Sequence, residues 1–313
     1  MCSKRATENE VSSTDRVQYR LKLEDTNLTA LDRRLHAFRP DMASTALRGQ
    51  IDAPNFVEGR LAQIQAPVVD LRPEPRADCS IDAQLLHGAI VRVFDEREGW
   101  AWLQAEADGY VGYAPASALG PVEEATHVVV AQRSFVYRGA DLRFPCMAVH
   151  SMGATVRITG EAETRGTRYG VLETGEAMIL DHLRAIDHRE PDFVAVAERF
   201  EHTPYLWGGS SGFGVDCSGL VQLAMHMAGK SVLRDTDMQA KSIGTPLDIA
   251  PDLAGLRRGD LVFWKGHVAI MTDATSMIHA SGHTMSVARE GLPDAVARIG
   301  YLYGGPTGFR RPD

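Results

Sequence analysis

The heptapeptide Val215-Asp216-Cys217-Ser218-Gly219-Leu220-Val221 joins a glycine-rich segment to an apolar one. The apolar residues recur at helical spacing until Gly229, which predicts a helix that begins at Cys217. A thiol in the first turn of a helix faces unpaired backbone N–H groups and the positive end of the helix dipole, both of which lower its pKa. The stretch therefore predicts a nucleophilic thiolate. A free cysteine can also be a small buried hydrophobe, so the assignment depends on its neighbours.

Two histidines follow on neighbouring predicted strands. His267 begins one strand and shares a face with Ala269 and Met271. His279 lies on the next strand, so pairing of the two strands would bring the imidazoles together at one end of a sheet. A cysteine helix packed on that face would complete a thiol, a base and a group that orients the base. Taken singly, either histidine could be structural.

Two further histidines could compete for these positions. His226 lies nine residues beyond Cys217 on the predicted helix, which places it too far from the thiol and favours a structural role. His283 follows His279 closely, and the Ile278-His-Ala context favours His279 over it.

The composition narrows the possible functions. The chain has 313 residues, of which 44% are apolar and 24% are charged, as in soluble globular proteins of two or three domains. A net charge of -8 argues against binding of nucleic acid, which favours a basic surface. The four cysteines lie far apart, so neither a disulfide framework nor a structural zinc site is predicted. We expect no metal and no cofactor.

The amino-terminal residues are polar and lack the apolar core of a standard signal peptide. The chain has no run of about 18 apolar residues that could span a membrane. We therefore expect a cytoplasmic protein without a membrane partner. The sequence does not indicate an oligomeric state.

Four regions differ in their residue pattern. Residues 1–56 form an extension that we expect to be partly disordered, over about 1–16, with a short helix near 31–38. Residues 57–122 and 123–188 contain short alternating strands, the first set with a hairpin around Asp108-Gly109, and predict two small β-barrels. Residues 189–313 combine a helix with strands in an α+β layout.

Six motifs follow one another in the last region. They are Tyr205-x-Trp-Gly-Gly, Asp216-Cys-Ser-Gly, Arg234-Asp-x-x-x-Gln239, Gly259-Asp-Leu-Val, His267-Val and Ile278-His-Ala. In this order they resemble the NlpC-type family of bacterial cell-wall cysteine peptidases, whose fold is papain-like. The Gly-Trp run followed by Gly-Tyr-x-Gly-Tyr in residues 57–122 resembles a bacterial Src-homology-three (SH3) barrel.

The resemblance implies a role for each residue of the thiol site. Cys217 would be the nucleophile, His267 the general base and later the acid, and His279 the residue that orients the base. The backbone N–H of Cys217 would stabilise the oxyanion.

Three other residues would contact the substrate by the same resemblance. Tyr205 and Asp216 would bind a free amine, and Ser218 would help to hold the peptide. Asp216 could instead only cap the helix. Thr236 and Gln239 fit a capping box at the start of another helix.

Two barrels before such a domain resemble the murein-peptide-recycling endopeptidases. This implies hydrolysis of the bond between γ-D-glutamate and a diamino acid in peptides with a free amino-terminal L-alanine, with the first barrel closing the cleft. Tyr110 is our candidate aromatic residue and Glu74 our candidate carboxylate for contact with the amine. Both could equally be ordinary surface residues, and Tyr113 is expected in the barrel core.

Two functions of other classes stay open. The chain could be a non-catalytic protein that binds wall fragments, although the intact set Cys217, His267 and His279 argues against this. It could also be a thiol acyltransferase on a related fold, although the barrels favour a peptidase.

Overall fold

The computed structural model describes residues 31–250 and 252–313. The first elements are three short strands, β1 (Phe38–Arg39), β2 (Met42–Ser44) and β3 (Phe56–Val57), with a 3-10 helix at Thr45–Leu47 between the last two. They form a small sheet around buried Phe38, Ala43 and Leu47.

The segment before β1 is a turn, so the predicted helix near 31–38 is wrong. The backbone carbonyl of Asp32 accepts hydrogen bonds from the backbone N–H groups of Leu35 and His36, and its side chain accepts from the N–H of Arg34. An aspartate that bonds the backbone two residues on favours a turn over a helix interior. The predicted disorder over 1–16 lies outside the described residues.

The first β unit contains seven strands, β4 (Arg60–Ile64), β5 (Val68–Leu71), β6 (Ala83–Leu86), β7 (Ile90–Arg97), β8 (Trp100–Ala105), β9 (Val111–Pro115) and β10 (Leu119–Gly120). Five of them form an antiparallel sheet in the order β10-β4-β7-β8-β9, and β5 and β6 form a separate hairpin. The predicted hairpin around Asp108-Gly109 is confirmed, because β8 pairs with β9 and Gly109 has a φ of 78°.

The second β unit contains eight strands, β11 (His127–Val129), β12 (Arg133–Tyr137), β13 (Cys146–Ser151), β14 (Thr155–Val156), β15 (Ile158–Thr164), β16 (Thr167–Leu172), β17 (Ala177–Ile179) and β18 (Leu183–Ala185). They form two sheets, β14-β11-β18 and β13-β12-β17-β16-β15, around a core that includes Val129, Val136 and Met178. We retain 57–122 and 123–188 as proposed boundaries of the two units.

The C-terminal unit has four helices, α1 (Phe193–Glu198), α2 (Cys217–Met227), α3 (Thr236–Ser242) and α4 (Leu292–Tyr303). Its strands are β19 (Ser210–Ser211), β20 (Gly214–Val215), β21 (Thr245–Leu247), β22 (Leu261–Trp264), β23 (His267–Met271), β24 (Ser276–Ser281), β25 (Ser286–Gly291) and β26 (Gly308–Arg311). The last six form one antiparallel sheet in the order β21-β26-β22-β23-β24-β25.

This sheet is covered on both faces. Val268 and Ile270 belong to the core under α2, whereas Ala269 and Met271 belong to the core under α4. Burial on both sides explains why β22 and β23 are continuous apolar runs without polar alternation. The predicted α+β arrangement, a cysteine helix on an antiparallel sheet, is confirmed.

Helices of the described ranges are all too short or too polar to cross a bilayer.

Candidate active site

Cys217 is the first residue of α2, as the sequence predicts. Asp216 caps this helix with extended backbone, and its side chain accepts a hydrogen bond of 2.7 Å from the N–H of Gly219. Gly219 lies against the glycine-rich loop, where an added Cβ would come within 2.1 Å of the carbonyl oxygen of Gly209. The glycine of Asp-Cys-Ser-Gly therefore lets the first turn of α2 pack directly on that loop.

The Cys217 thiol is buried between two segments of the C-terminal unit. Its Sγ lies 3.8 Å from Oγ1 of Thr236 and 3.9 Å from the carbonyl oxygen of Gly266. Burial, together with the negative charge of Asp216, raises the pKa of the thiol to about 11. The predicted lowering of this pKa is therefore wrong in direction, because loss of solvent outweighs the helix start. The resting group is a neutral thiol.

The two predicted histidines are in contact with each other. His267 begins β23, and its Nε2 lies 2.8 Å from Nδ1 of His279 on β24. One of these nitrogens must carry the proton of the hydrogen bond and the other must accept it. Burial lowers the pKa of His267 to about 3, helped by the charge that His279 can carry. Both rings are therefore neutral near neutral pH.

The predicted packing of the cysteine helix needs a correction. His267 shares its strand face with Ala269 and Met271, and that face lies under α4, not under α2. Cys217 instead reaches the end of β23, where its thiol meets Gly266 just before His267. The thiol therefore lies beside the backbone at the start of β23, and the His267 ring packs against Trp264, which belongs to the core under α4.

Glu290 extends the pair of histidines and is absent from the sequence prediction. Its Oε2 lies 3.4 Å from Nε2 of His279, and its carboxylate also pairs with Arg298 of α4. Burial lowers the pKa of His279 to about 4, and the Glu290 carboxylate opposes that shift. The order His267, His279, Glu290 is a chain in which each group can orient the one before it. His283 is exposed in the turn after β24.

Asp216 and Ser218 are turned toward a buried arginine. Arg234 is 1% exposed and donates to both carboxylate oxygens of Asp216, at 3.0 and 2.7 Å, and to Oγ of Ser218 at 2.7 Å. Asp216 also accepts from the N–H of Gly208 at 2.9 Å. Its lone pairs are therefore occupied by the protein, and the capping role that the sequence left open is the one that the geometry supports.

The Arg234–Gln239 motif fixes α2 rather than forming a capping box. The side chain of Gln239 donates to the carbonyl oxygen of Ser218 at 3.0 Å. Asp235, not Thr236, is the N-cap residue of α3, and Thr236 contacts the thiol. The predicted helix start is correct, but the predicted reciprocal cap is wrong.

The first β unit meets the C-terminal unit close to Thr236. Tyr110 is 4% exposed, and its hydroxyl donates to Oδ2 of Asp235 at 3.0 Å. Tyr110 belongs to the main core of the unit, which excludes the alternative of an ordinary surface residue. The expectation that Tyr113 lies in the core is wrong, because Tyr113 is only half-buried. Tyr205, half-buried, lies close enough to Cys217 and Asp216 for their charges to add to the burial that raises its pKa.

Asp82 is a second residue that the sequence prediction misses. Its neighbour Ile81 contacts Gly208, where an added Cβ would lie 2.6 Å from the carbonyl oxygen of Ile81. Burial raises the pKa of Asp82, and the negative charge of Asp235 raises it further. No side chain of the described residues forms an ion pair with it. Glu74, the predicted carboxylate, is exposed and pairs with Arg76 at 2.8 Å.

Comparison with known proteins gives two family matches. Residues 202–293 match the NlpC/P60 family, and residues 71–119 match the bacterial dipeptidyl-peptidase SH3 domain. The C-terminal unit is an NlpC/P60 domain.

Curated relatives agree with this assignment. Dipeptidyl-peptidase 6 of Lysinibacillus sphaericus is 26% identical over 275 residues, which cover 77% of this chain and 99% of the relative. The gamma-D-glutamyl-L-lysine dipeptidyl-peptidase of Bacillus subtilis is 38% identical over 98 residues, but the match spans only 28% of this chain and 31% of that protein.

A solved NlpC/P60 family protein from Bacillus cereus shares the fold, with a TM-score of 0.67 and 21% identity over 81% of this chain and 99% of the other. The SH3-like region and the papain-like NlpC/P60 domain predicted from the sequence are both confirmed.

A cavity of about 530 Å³ lies at the junction of the NlpC/P60 domain with both β units. It is lined by Gln222, Leu223 and His226 of α2 among others, and by none of the residues Cys217, His267 and His279. It is therefore separate from the thiol site. Among the described residues, no three His, Cys, Asp or Glu side chains come together as a metal site.

Proposed function

We propose that the protein is a cysteine endopeptidase that hydrolyses the bond between γ-D-glutamate and a diamino acid in murein peptides with a free amino-terminal L-alanine. One observation carries the proposal. Two carboxylates and a tyrosine at the barrel interface lie next to Thr236, which contacts the thiol; they are Asp82, Asp235 and Tyr110.

Cys217, His267 and His279 form the thiol end of the proposed site, which supports acyl transfer. In the proposed reaction, Cys217 passes its proton to His267 as Sγ attacks the γ-carbonyl carbon, and the oxyanion forms at the N–H of Cys217. His267 then protonates the departing amine, and the C–N bond breaks to leave a thioester. Water attacks the thioester with His267 as base, which releases the dipeptide and restores the thiol.

Burial opposes a lone charge on either Cys217 or His267, as the pKa shifts of both groups indicate. A thiolate and an imidazolium that form together offset part of this cost, because opposite charges attract strongly where water is excluded. We therefore expect proton transfer to accompany attack on the carbonyl, rather than a thiolate that waits in the resting enzyme.

Asp82, Asp235 and Tyr110 form the amine end of the proposed site, which supports selection for a free amino terminus. Asp82 and Asp235 are two carboxylates whose pKa values are raised, chiefly by burial, although Arg34 and Arg234 oppose the shift of both. An ammonium group of the substrate would add positive charge next to these two carboxylates. A neutral, N-acetylated terminus would not. The predicted partner Tyr205 would then lie between the two ends, whereas Ser218 is held by Asp216 and Arg234.

The relatives from Bacillus subtilis and Lysinibacillus sphaericus are both named dipeptidyl-peptidases, which agrees with release of a dipeptide. We further propose that the protein acts in the cytoplasm on peptides already released from the wall, as in murein recycling.

The test is incubation of the protein with L-Ala-γ-D-Glu-diaminopimelate, its L-lysine counterpart and the N-acetylated forms of both. We expect release of L-Ala-γ-D-Glu from at least one free-amine peptide and at least about tenfold slower cleavage of its N-acetylated form. Equal cleavage of both forms would refute selection for the amine. Cleavage of neither would refute the peptidase proposal.

A further inference from the structure

The segment of residues 31–57 lies outside both family matches, yet it contacts the amine end. Its turn is fixed on the first β unit: the carbonyl oxygen of Arg34 accepts from the N–H of Val111 at 2.8 Å, and that of Leu35 accepts from Gln104 at 2.9 Å. The Arg34 side chain is thereby directed at the start of α3.

Arg34 joins three carboxylates. Its guanidinium donates to Asp235 at 2.8 Å, to both oxygens of Asp237 at 2.8 Å, and to Asp32 within its own turn at 2.7 Å. Five N–H donors in a planar fork allow one arginine to hold several carboxylates in fixed directions.

The bonds to Asp235 are unevenly placed. The hydroxyl of Tyr110 and the guanidinium of Arg34 both donate to Oδ2, and Oδ1 accepts no hydrogen bond from the described residues. Asp235 is the N-cap residue of α3, but its side chain does not cap the helix. An N-cap aspartate usually accepts from the first turn, so this carboxylate is held away from its ordinary partner.

We infer that Arg34 is a positioning residue for amine recognition: by holding Oδ2 of Asp235, it keeps Oδ1 available to accept the substrate's ammonium group. The inference rests on the proposed function. Without Arg34, Asp235 would be free to rotate toward the first turn of α3, and it would lose a neighbour that keeps it ionised.

The positive charge of Arg34, which alone would repel the ammonium group, is offset by its carboxylate partners. Asp32 and Asp237 already bind the guanidinium, and the three groups together carry no net positive charge.

Five groups face the Asp235 carboxylate, namely Tyr110, Asp82, Arg34, Arg234 and Asp237. Burial raises the pKa of Asp235, and the charge of Arg34 opposes this rise. Removal of Arg34 therefore favours the protonated form of Asp235. Loss of Arg34 therefore weakens ammonium binding.

The experiment compares Arg34→Met with Arg33→Met, whose exposed side chain only stacks on Phe38 at 5.0 Å. Kinetics are measured on L-Ala-γ-D-Glu-diaminopimelate and on its N-acetylated form, across pH. For Arg34→Met we expect KM for the free-amine peptide to rise about tenfold with kcat changed less than about twofold, and acid inhibition to begin at higher pH. Arg34→Lys should recover part of the loss, and Arg33→Met should match wild type.

A second background tests whether Arg34 acts through Asp235. In Asp235→Asn protein, adding Arg34→Met should change KM by less than about twofold, because the two residues act as one unit. Full additivity of the two losses would overturn the inference, as would an equal loss on the N-acetylated peptide. If wild type lacks selectivity for the free amine, the proposed function is wrong and this inference falls with it. If wild type is selective and Arg34→Met is equally selective, only the inference is wrong.

Discussion

The two ends of the proposed substrate site, the thiol end and the amine end, are built in opposite ways. The thiol end comes from the NlpC/P60 domain alone, and its groups are neutral at rest, with Cys217 and His279 buried and His267 half-buried. The amine end combines Arg34, Tyr110 and Asp235 from three separate parts of the chain, and it is dense in charge.

This difference separates two kinds of defect. Changes at the thiol end should act on the chemical step and lower kcat for every substrate. Changes at the amine end should act on KM and only for peptides with a free amine, because no bond breaks there.

The largest effect is expected from Cys217→Ala. Removal of the sulfur leaves no nucleophile at the helix start, so hydrolysis should fall at least about a thousandfold while calorimetry still detects binding of the peptide. Iodoacetamide labelling checks the assignment independently. Loss of activity with Cys79 or Cys146 modified and Cys217 intact would place the nucleophile elsewhere.

A smaller and graded effect is expected along the histidine chain. His267→Ala should lower kcat about a thousandfold, because a base takes part in proton transfer, whereas His279→Ala should lower it about tenfold to a hundredfold. Single-turnover rates of both variants test the order. Equal losses, or a reversed order, would mean that the roles are misassigned.

Tyr110→Phe probes the amine end without opening a cavity, since the ring stays in the core of the first β unit. Loss of the hydroxyl frees one of the two bonds on Oδ2 of Asp235, and KM for the free-amine peptide should rise about fivefold. The N-acetylated peptide and the melting temperature serve as controls. A matching loss on the acetylated peptide would show that Tyr110 does not act on the amine.

Acidification should affect the amine end selectively. The raised pKa values of Asp82 and Asp235 mean that these acids take up protons at higher pH than ordinary aspartates, while the substrate amine stays charged. As the pH falls from neutral toward the range in which ordinary aspartates titrate, KM for the free-amine peptide should rise about threefold and KM for the acetylated peptide should stay constant. Parallel changes for both peptides would exclude these carboxylates as the cause.

Chelation should have the smallest effect. The proposed chemistry uses the thiol and the imidazoles without a metal, so activity in excess chelator should equal that of untreated protein. Activity that chelator removes and zinc restores would refute the thiol mechanism.

The thiol end was predictable because its residues lie in short motifs at fixed spacing. Cys217 at a helix start and the contact of His267 with His279 follow from local pattern and strand pairing. Glu290 carries no motif, since its contact with His279 depends on the pairing of β24 with β25 and on Arg298 of α4. The direction of the Cys217 pKa shift was mispredicted because the prediction used only the helix dipole. The extent to which the thiol is buried depends on the tertiary fold.

The amine end was less predictable because it forms between segments distant in sequence. Tyr110 directly precedes β9 and Tyr113 lies on it three residues later, so alternation predicts opposite faces for the two rings, but it does not say which face is buried. Asp82 and Arg34 have no local feature that marks them. Their contacts exist only once the first β unit lies against α3.

The consecutive residues Arg234, Asp235 and Thr236 contact the cap of α2, the first β unit and the thiol, in that order. Neighbouring Cα atoms along a chain are about 3.8 Å apart, so a fixed backbone link joins the Asp235 contact with the first β unit to the Thr236 contact with the thiol, and the two ends cannot move apart independently. On the proposed chemistry, this tripeptide holds the ammonium site and the Cys217 nucleophile at the separation of one dipeptide. A peptide longer by one residue at its amino end would present the wrong bond to Cys217.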